Sequence, residues 1–250
     1  MRLNREQQKA AASANGSRPN PADPEAHAQW SRRLGVGRAL VSTLERWCSS
    51  GLGLRSISLL DVGTGSLDAP VAARRWALDQ GVDLRVTAFG SCPLYRDQLA
   101  SNLSRYPPEI VSGITLESDD PLELVDRFGL ASFDVVHAGL FLHAMRDINA
   151  LNLLRQMDRA GRLGVVWSDP LRSLASRSSP RAMTLGMGPE ARRIAIAGWQ
   201  SGLTRAAALD MARRVGLTNP RCQASMARQR FTLTSFKDDA TWRAEQSRTA

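Results

Sequence analysis

One stretch constrains this chain more than any other: SLLDVGTGSLDAP, residues 58–70, where an apolar run meets two closely spaced glycines and then a helical pattern. The run SISLLDV shows no polar alternation, which is typical of a strand buried on both faces of a parallel sheet. Gly63 and Gly65 let the backbone approach a ligand closely, and the helix after them offers amide donors. We expect Asp68 to cap that helix, with Pro70 in its first turn. The stretch therefore predicts a strand and a helix joined by a ligand-binding turn.

The same alternation of strand and helix recurs along the chain. Helical patterns separate four further apolar runs: DLRVTAF, SGITLES, FDVVHAG and GRLGVVWS. Such units predict an α/β fold, a Rossmann-like, doubly wound, mostly parallel sheet with helices on both faces. RQRFTLTSF predicts an antiparallel edge strand near the C-terminus. Over residues 24–49, the apolar spacing predicts two helices broken near GVG.

Composition and charge suggest where this domain begins and ends. Residues 1–22 are polar and predicted to be disordered, 23–236 to form one domain, and 237–250 to be a flexible tail. Within the domain, residues 174–202 are predicted to form a cap or loop. The sequence has neither an apolar run of membrane-spanning length nor a signal-peptide pattern, so we expect a cytoplasmic protein. The three cysteines (Cys48, Cys92 and Cys222) are widely spaced, which favours reduced thiols over disulfides or a zinc site.

The glycine turn does not suit a dinucleotide. Dinucleotide-binding turns read G-x-G-x-x-G, and Asp68 stands here in place of the third glycine. A carboxylate facing a pyrophosphate at a helix N-terminus is repulsive. A nicotinamide or flavin dinucleotide is therefore disfavoured.

The turn instead resembles the first motif of the class I S-adenosylmethionine-dependent methyltransferases, D/E-x-G-x-G-x-G, which Asp61, Gly63 and Gly65 match. Further phrases typical of small-molecule members follow in order across residues 57–173: RVTAF, FDVVHAGLFLHAM, LLRQM and GRLGVVWSDPLRS. The resemblance implies a methyltransferase-like domain that binds S-adenosylmethionine. The cofactor-binding positions that it implies are Asp61, Gly63, Thr64, Gly65, Asp68, Gly90, Asp119, Asp120, His137 and Ala138.

Two positions depart from the family pattern. Leu67 stands at the third glycine, where we expect its side chain to crowd the cofactor's methionine portion. Gly90 ends the second strand, where the family has an acid that accepts both ribose hydroxyls. Charge-assisted hydrogen bonds of this kind contribute about 1.5–3 kcal/mol. Their loss is expected to weaken cofactor binding by roughly tenfold to a hundredfold.

Candidate catalytic and acceptor-binding residues follow the fourth and fifth strands. His143 is the candidate general base for an acceptor that must lose a proton, and its alternative role is a polar cap on a partly buried segment. Asp169 and Arg172 are candidate substrate-binding residues. Asp119 and Asp120 have an alternative role as caps of the short helix that follows them. We expect no metal site, because His137 and His143 lack a clear third ligand.

The sequence favours methyl transfer to a small-molecule oxygen or carbon acceptor. One alternative is a catalytically impaired member of the fold that serves as a scaffold for a protein partner. Another is an RNA methyltransferase that binds RNA through residues 155–230, which contain 14 arginines and only four acidic residues. Nucleic acid is disfavoured as a partner, since these arginines are scattered and not interleaved with aromatic residues.

Overall fold

The computed structural model describes residues 23–49, 55–90, 93–173 and 184–237. The predicted disordered segment 1–22, nearly all of the tail, Cys92 and residues 174–183 of the predicted cap lie outside the described residues. The helices are α1 (Pro24–Leu34), α2 (Val36–Trp47), α3 (Asp68–Gln80), α4 (Pro93–Leu103), α5 (Pro108–Val111), α6 (Leu124–Phe128), α7 (Asp147–Ala160), α8 (Pro189–Ser201) and α9 (Arg205–Arg214). The strands are β1 (Ser56–Val62), β2 (Asp83–Gly90), β3 (Ile114–Ser118), β4 (Phe133–Gly139), β5 (Gly161–Pro170), β6 (Arg221–Ser225) and β7 (Arg230–Phe236).

The strands form one seven-stranded sheet in the order β3-β2-β1-β4-β5-β7-β6. The first five are parallel, whereas β7 runs antiparallel to both β5 and β6. Strand order reverses between β1 and β4, and in such sheets ligands bind beyond the carboxyl ends of the strands at that point. The fold class predicted from the sequence is confirmed. The sequence analysis did not find β6, which pairs with the predicted edge strand β7 and forms the edge of the sheet in its place.

Side chains of the central strands β1, β4 and β5 alternate between two apolar clusters, one on each face of the sheet. Ile57 and Leu59 of β1 belong to the first cluster, together with buried residues of α1, α2, α3 and α8. Leu60 and Val62 belong to the second, which α7 and α9 cover. Because β1 is buried on both sides, it shows the uninterrupted apolar run that identified it in the sequence.

The N-terminal helices follow local sequence signals. Asp23 caps α1 by accepting hydrogen bonds from the amides of Glu25 and Ala26, and Pro24 occupies the first turn. Gly35, with φ of 70°, ends α1 and separates it from α2. The predicted break near GVG is therefore confirmed.

The start of α3 differs from the prediction. Leu67 is the N-cap residue, and Asp68 is the first residue of the helix and does not cap it. The Asp68 carboxylate accepts a hydrogen bond of 2.7 Å from the Ser31 hydroxyl, so that it joins α3 to α1. Burial raises the pKa of Asp68 above its usual value.

Of the helices that the structure describes, none combines the length and the apolar character that crossing a bilayer requires.

Candidate active site

The glycine turn after β1 is fixed by backbone hydrogen bonds to the neighbouring strand. The amides of Gly63 and Thr64 both donate to the carbonyl oxygen of Phe89, at 2.8 and 3.1 Å. Gly63 has φ of 72°, a conformation that L residues rarely adopt, which explains the glycine at this position. The buried Thr64 hydroxyl lies 2.8 Å from both the carbonyl oxygen and the carboxylate of Asp61. The turn is therefore held between β1 and β2.

Asp61 and His137 form a buried pair beneath this turn. They are register partners on β1 and β4, and the Nδ1 of His137 lies 2.5 Å from the Asp61 carboxylate. His137 is fully buried, as is the neighbouring Ala138. These predicted cofactor residues do lie together at the carboxyl ends of the strands. Because its carboxylate already bonds to His137 and Thr64, Asp61 acts mainly to hold the turn.

Two aromatic rings cover the glycines of the turn. A Cβ atom added to Gly63 would lie 2.1 Å from the ring of Phe141, and one added to Gly65 would lie 3.2 Å from Nδ1 of His27. Leu67, which we expected to crowd the turn, is instead 5% exposed and packs in the apolar cluster of the first face. Its φ of −84° is ordinary for an L residue, so no glycine is needed there. Phe141 and His27 are thus the side chains that stand over the turn.

The end of β2 offers open space beside the turn. The atom nearest to a Cβ added to Gly90 is the Thr64 carbonyl oxygen, 3.9 Å away. The amide of Asp119 donates to the Gly90 carbonyl oxygen at 3.0 Å, and the side chain of Asp119 is exposed. Asp120 caps the turn of 3₁₀ helix at 121–123 through a 2.9 Å bond to the Leu122 amide. Asp120 therefore has the alternative capping role, whereas Asp119 borders the open space.

Asp169, at the end of β5, is the centre of the hydrogen-bond network around the loop after β4. Its carboxylate accepts from the amide of Phe141 at 3.0 Å and from the amide of His143 at 2.8 Å. It also accepts from Nε1 of Trp167 at 2.7 Å, and Nδ1 of His143 lies 3.1 Å away. The residue is fully buried. A carboxylate with four donors has no site left for a substrate, so the structure differs from the predicted role of Asp169 in substrate binding.

The same contact determines which nitrogen of His143 carries hydrogen. A carboxylate only accepts, so Nδ1 carries the hydrogen that points to Asp169 and Nε2 has the free lone pair. The ring of His143 packs edge-on against Trp30, with the ring centres 5.5 Å apart. His143 is only 7% exposed, so its lone pair lies in a site largely closed to solvent. Arg172, the other predicted substrate residue, is exposed just after β5, and its amide donates to the Leu203 carbonyl oxygen.

His27 completes a group that contains all three histidines of the chain. Burial and, secondly, the charge of the nearby His143 lower the pKa of His27 to about 4, against the opposing effects of Asp23 and Glu190. Its Nε2 is buried and has no hydrogen-bond partner among the described residues. The sequence analysis missed His27, Phe141 and Trp30. The only signal for His27 was the rarity of histidine in this chain.

Within the described ranges, no three histidine, cysteine or acidic side chains are arranged to hold a metal ion.

The sequence matches no protein-family model and no curated protein. Solved structures, in contrast, share the fold. The CurJ carbon methyltransferase superposes with a TM-score of 0.57 at 12% identity, over 80% of this chain and 53% of that one. The methyltransferase domain of bacterial CtHen1 gives 0.56 at 11% identity, over 82% of this chain and all of that one. A putative O-methyltransferase from Nostoc punctiforme gives 0.53 at 15% identity, over 93% and 67%.

This chain thus spans about half the length of the CurJ chain that it matches. The similarity establishes the architecture: the chain has the Rossmann-like fold of the class I S-adenosylmethionine-dependent methyltransferases. At these identities it establishes the fold alone, and the reaction is a separate question.

Proposed function

We propose that this protein is an S-adenosylmethionine-dependent methyltransferase that acts on an oxygen or carbon atom of a small molecule. The observation that carries the proposal is the pairing of His143 with Asp169 at the carboxyl edge of the sheet, beside the loop that follows β4. The pairing supports a role for His143 as an oriented base in a nearly closed site near the glycine turn. An acceptor bound beside it would meet a cofactor held at that turn.

The residues present fit the cofactor better at its adenosyl end than at its methionyl end. The open space at Gly90, bordered by the exposed Asp119, suits the ribose and adenine. Gly63 and Gly65 would hold the methionyl end, once the rings of Phe141 and His27 move aside. The cofactor, when bound, supplies an electrophilic methyl group on a sulfonium.

His143 has the geometry of a general base. With Nδ1 held by Asp169, its Nε2 is available to take a proton from an acceptor hydroxyl or an acidic carbon. Asp169 is a positioning residue: it fixes the tautomer and the orientation of the ring, as carboxylates do in other histidine-based sites. The burial of His143 and the packing of Trp30 against it exclude water, which favours direct attack of the acceptor on the methyl group.

Calorimetric titration with S-adenosylhomocysteine tests the cofactor site. The variant Gly90→Asp adds the missing acid in open space and should bind roughly tenfold to a hundredfold more tightly than the unmodified protein. The matched control is Gln80→Glu, which adds the same charge at an exposed position at the end of α3. Binding by the unmodified protein supports the proposal and justifies a screen of acceptors.

A second candidate is a scaffold that has kept the fold and lost its cofactor. The rings over Gly63 and Gly65 favour it, because they fill the space that the methionyl end requires. Under this alternative, neither the unmodified protein nor Gly90→Asp binds S-adenosylhomocysteine, while the combination Gly90→Asp with Phe141→Ala does. Micromolar binding of S-adenosylhomocysteine by the unmodified protein would show that these rings do not block the cofactor site, and it would remove the support for the scaffold alternative.

A further inference from the structure

Eight arginines from distant parts of the sequence line three grooves that meet around the outer side of α1. We define the hairpin groove as the space between α2 and the β6–β7 hairpin, with a volume of about 460 Å³. The helix groove lies between α1, the start of α8 and the β6–β7 turn, with a volume of about 770 Å³. The tyrosine groove lies between α1, α3 and the end of α4, also with about 460 Å³.

The hairpin groove has the most arginines of the three. Four arginines line it (Arg38, Arg46, Arg228 and Arg230), against one carboxylate, that of Glu45. Arg230 is partly buried, and its Nε–H has no partner within the described residues. A buried donor without an acceptor is costly unless a ligand supplies one. Burial and, secondly, the charge of Arg228 lower the pKa of Arg230 to about 10, as expected for a cation that lacks a counter-charge.

Shared residues make the three grooves continuous. Arg228 lines both the hairpin groove and the helix groove, and its guanidinium donates to the Arg33 carbonyl oxygen at 3.3 Å. Arg32 lines both the helix groove and the tyrosine groove. No acidic residue lines the helix groove, whose wall also includes Trp199, with an Nε1–H that has no partner in the described part of the chain. We call this continuous surface the arginine track.

The far end of the arginine track adds an aromatic ring. Arg75 stands over Tyr106, 5.6 Å from the ring centre, and Arg105 lies beside them. Of the acids there, Asp68 is bonded to Ser31 and Glu25 to Arg32. Seven of the eight arginines form no ion pair with any described carboxylate. The arginine track therefore presents planar guanidinium groups across three grooves, with few carboxylates to neutralise them.

We propose that the arginine track binds the phosphate backbone of a single-stranded nucleic acid. Planar guanidinium groups pair with phosphates through two parallel bonds, and successive grooves suit a chain of phosphates better than one isolated anion. None of the eight arginines belongs to the glycine turn or to the His143–Asp169 pair, so nucleic acid binding does not depend on the methyl-transfer function proposed above. It equally does not require that the nucleic acid be the methyl acceptor.

The test is fluorescence anisotropy of a labelled 12-nucleotide single-stranded RNA with the full chain at 50 and 200 mM salt. For single strands, the logarithm of the association constant falls by about 0.7 for each neutralised phosphate when the salt concentration rises tenfold. If about five phosphates are neutralised, the fourfold rise in salt therefore weakens binding roughly a hundredfold. The double variant Arg33→Glu/Arg228→Glu is expected to bind at least tenfold more weakly and with a shallower salt dependence. The matched control is Arg155→Glu/Arg213→Glu, exposed arginines on α7 and α9 with the same change in net charge.

Equal weakening by the control pair would overturn the proposal, since net charge alone would then explain binding. The proposal would also be overturned if uridine monophosphate displaced the labelled RNA at the same concentration as unlabelled RNA does, because a single phosphate would then be enough for binding. Equal displacement by polyglutamate would overturn it as well, since it would indicate an acidic protein partner. S-adenosylhomocysteine titration of the same variants keeps the two proposals apart: the arginine variants should bind it as the unmodified protein does.

Discussion

His27 makes the stability of this protein depend on pH in a way that can be calculated. Its pKa is about 4 in the folded protein, against 6.5 for an ordinary histidine, chiefly because of burial and secondly because of the charge of His143. Between pH 6.5 and 4 the unfolded chain takes up a proton at this position that the folded chain does not. The free energy of unfolding therefore falls as the pH falls through this window, and the stabilisation is complete above it.

The magnitude follows from the difference of 2.5 pKa units between 6.5 and 4. At about 1.36 kcal/mol per unit, the full effect is about 3 kcal/mol, of which about 2.5 kcal/mol is lost between pH 7 and 4.5. The variant His27→Gln removes the titrating group and keeps a polar side chain of similar size. Its loss of stability over this interval should be about 2.5 kcal/mol smaller than that of the unmodified protein.

Urea unfolding followed by tryptophan fluorescence at pH 7, 5.5 and 4.5 measures this difference. Groups that do not interact with His27 titrate alike in both proteins and cancel in the comparison. Arg33→Gln, an exposed change on the same helix, should keep the pH dependence of the unmodified protein. If His27→Gln loses as much stability as the unmodified protein, then His27 is not held neutral by its surroundings and the reasoning fails.

Three further predictions concern the hydrogen-bond network and the packing. Asp169→Asn should lower the methyl-transfer rate at least a hundredfold while S-adenosylhomocysteine still binds. The amide cannot accept from all four donors, so it no longer fixes which nitrogen of His143 carries hydrogen. Unchanged turnover in a steady-state assay would exclude the positioning role. Gly198→Ala should cost about 1–3 kcal/mol in urea unfolding, since the new Cβ would lie 2.0 Å from the buried Trp30 ring. Gly188→Ala, whose Cβ would lie 3.6 Å from the nearest atom, should cost less. Lys237→Met should cost about 3–5 kcal/mol, because the buried ammonium lies 3.2 Å from the Asp158 carboxylate, and a loss under 1 kcal/mol would contradict that account.

The sequence predicted those parts of the fold that are encoded locally. Strands β1 to β5 were found because each is an apolar run between helical patterns, and the break at Gly35 because the glycine lies between two amphipathic segments. Strand β6, Arg221–Ser225, escaped because three of its five residues are exposed and it has no apolar run. Its identity as a strand depends on pairing with β7, which is a tertiary contact.

The candidate site was predicted in position but not in its internal contacts. Strand ends located Asp61, His143 and Asp169, because the carboxyl ends of parallel strands meet at one edge. No local pattern shows that four donors converge on Asp169, or that His27 of the first helix covers Gly65 across almost forty residues. The same limit applied to charge: the sequence analysis singled out the arginines of residues 155–230, whereas the surface that the fold assembles includes only Arg228 and Arg230 from that range. The other six come from α1, α2, α3 and the segment after α4.

The position of β7 has a consequence for synthesis on the ribosome. Strand β5 is buried along almost its whole length, and one of its edges pairs only with β7, which begins 60 residues later at Arg230. At about 5–20 residues per second, that edge stays open for roughly 3–12 s in each nascent chain. During this interval the unpaired backbone of β5 can pair with a strand of another nascent chain that is synthesised on the same messenger RNA. Nascent chains that stop before Arg230 should therefore be bound by chaperones or aggregate, whereas chains that extend past Phe236 can close their own sheet.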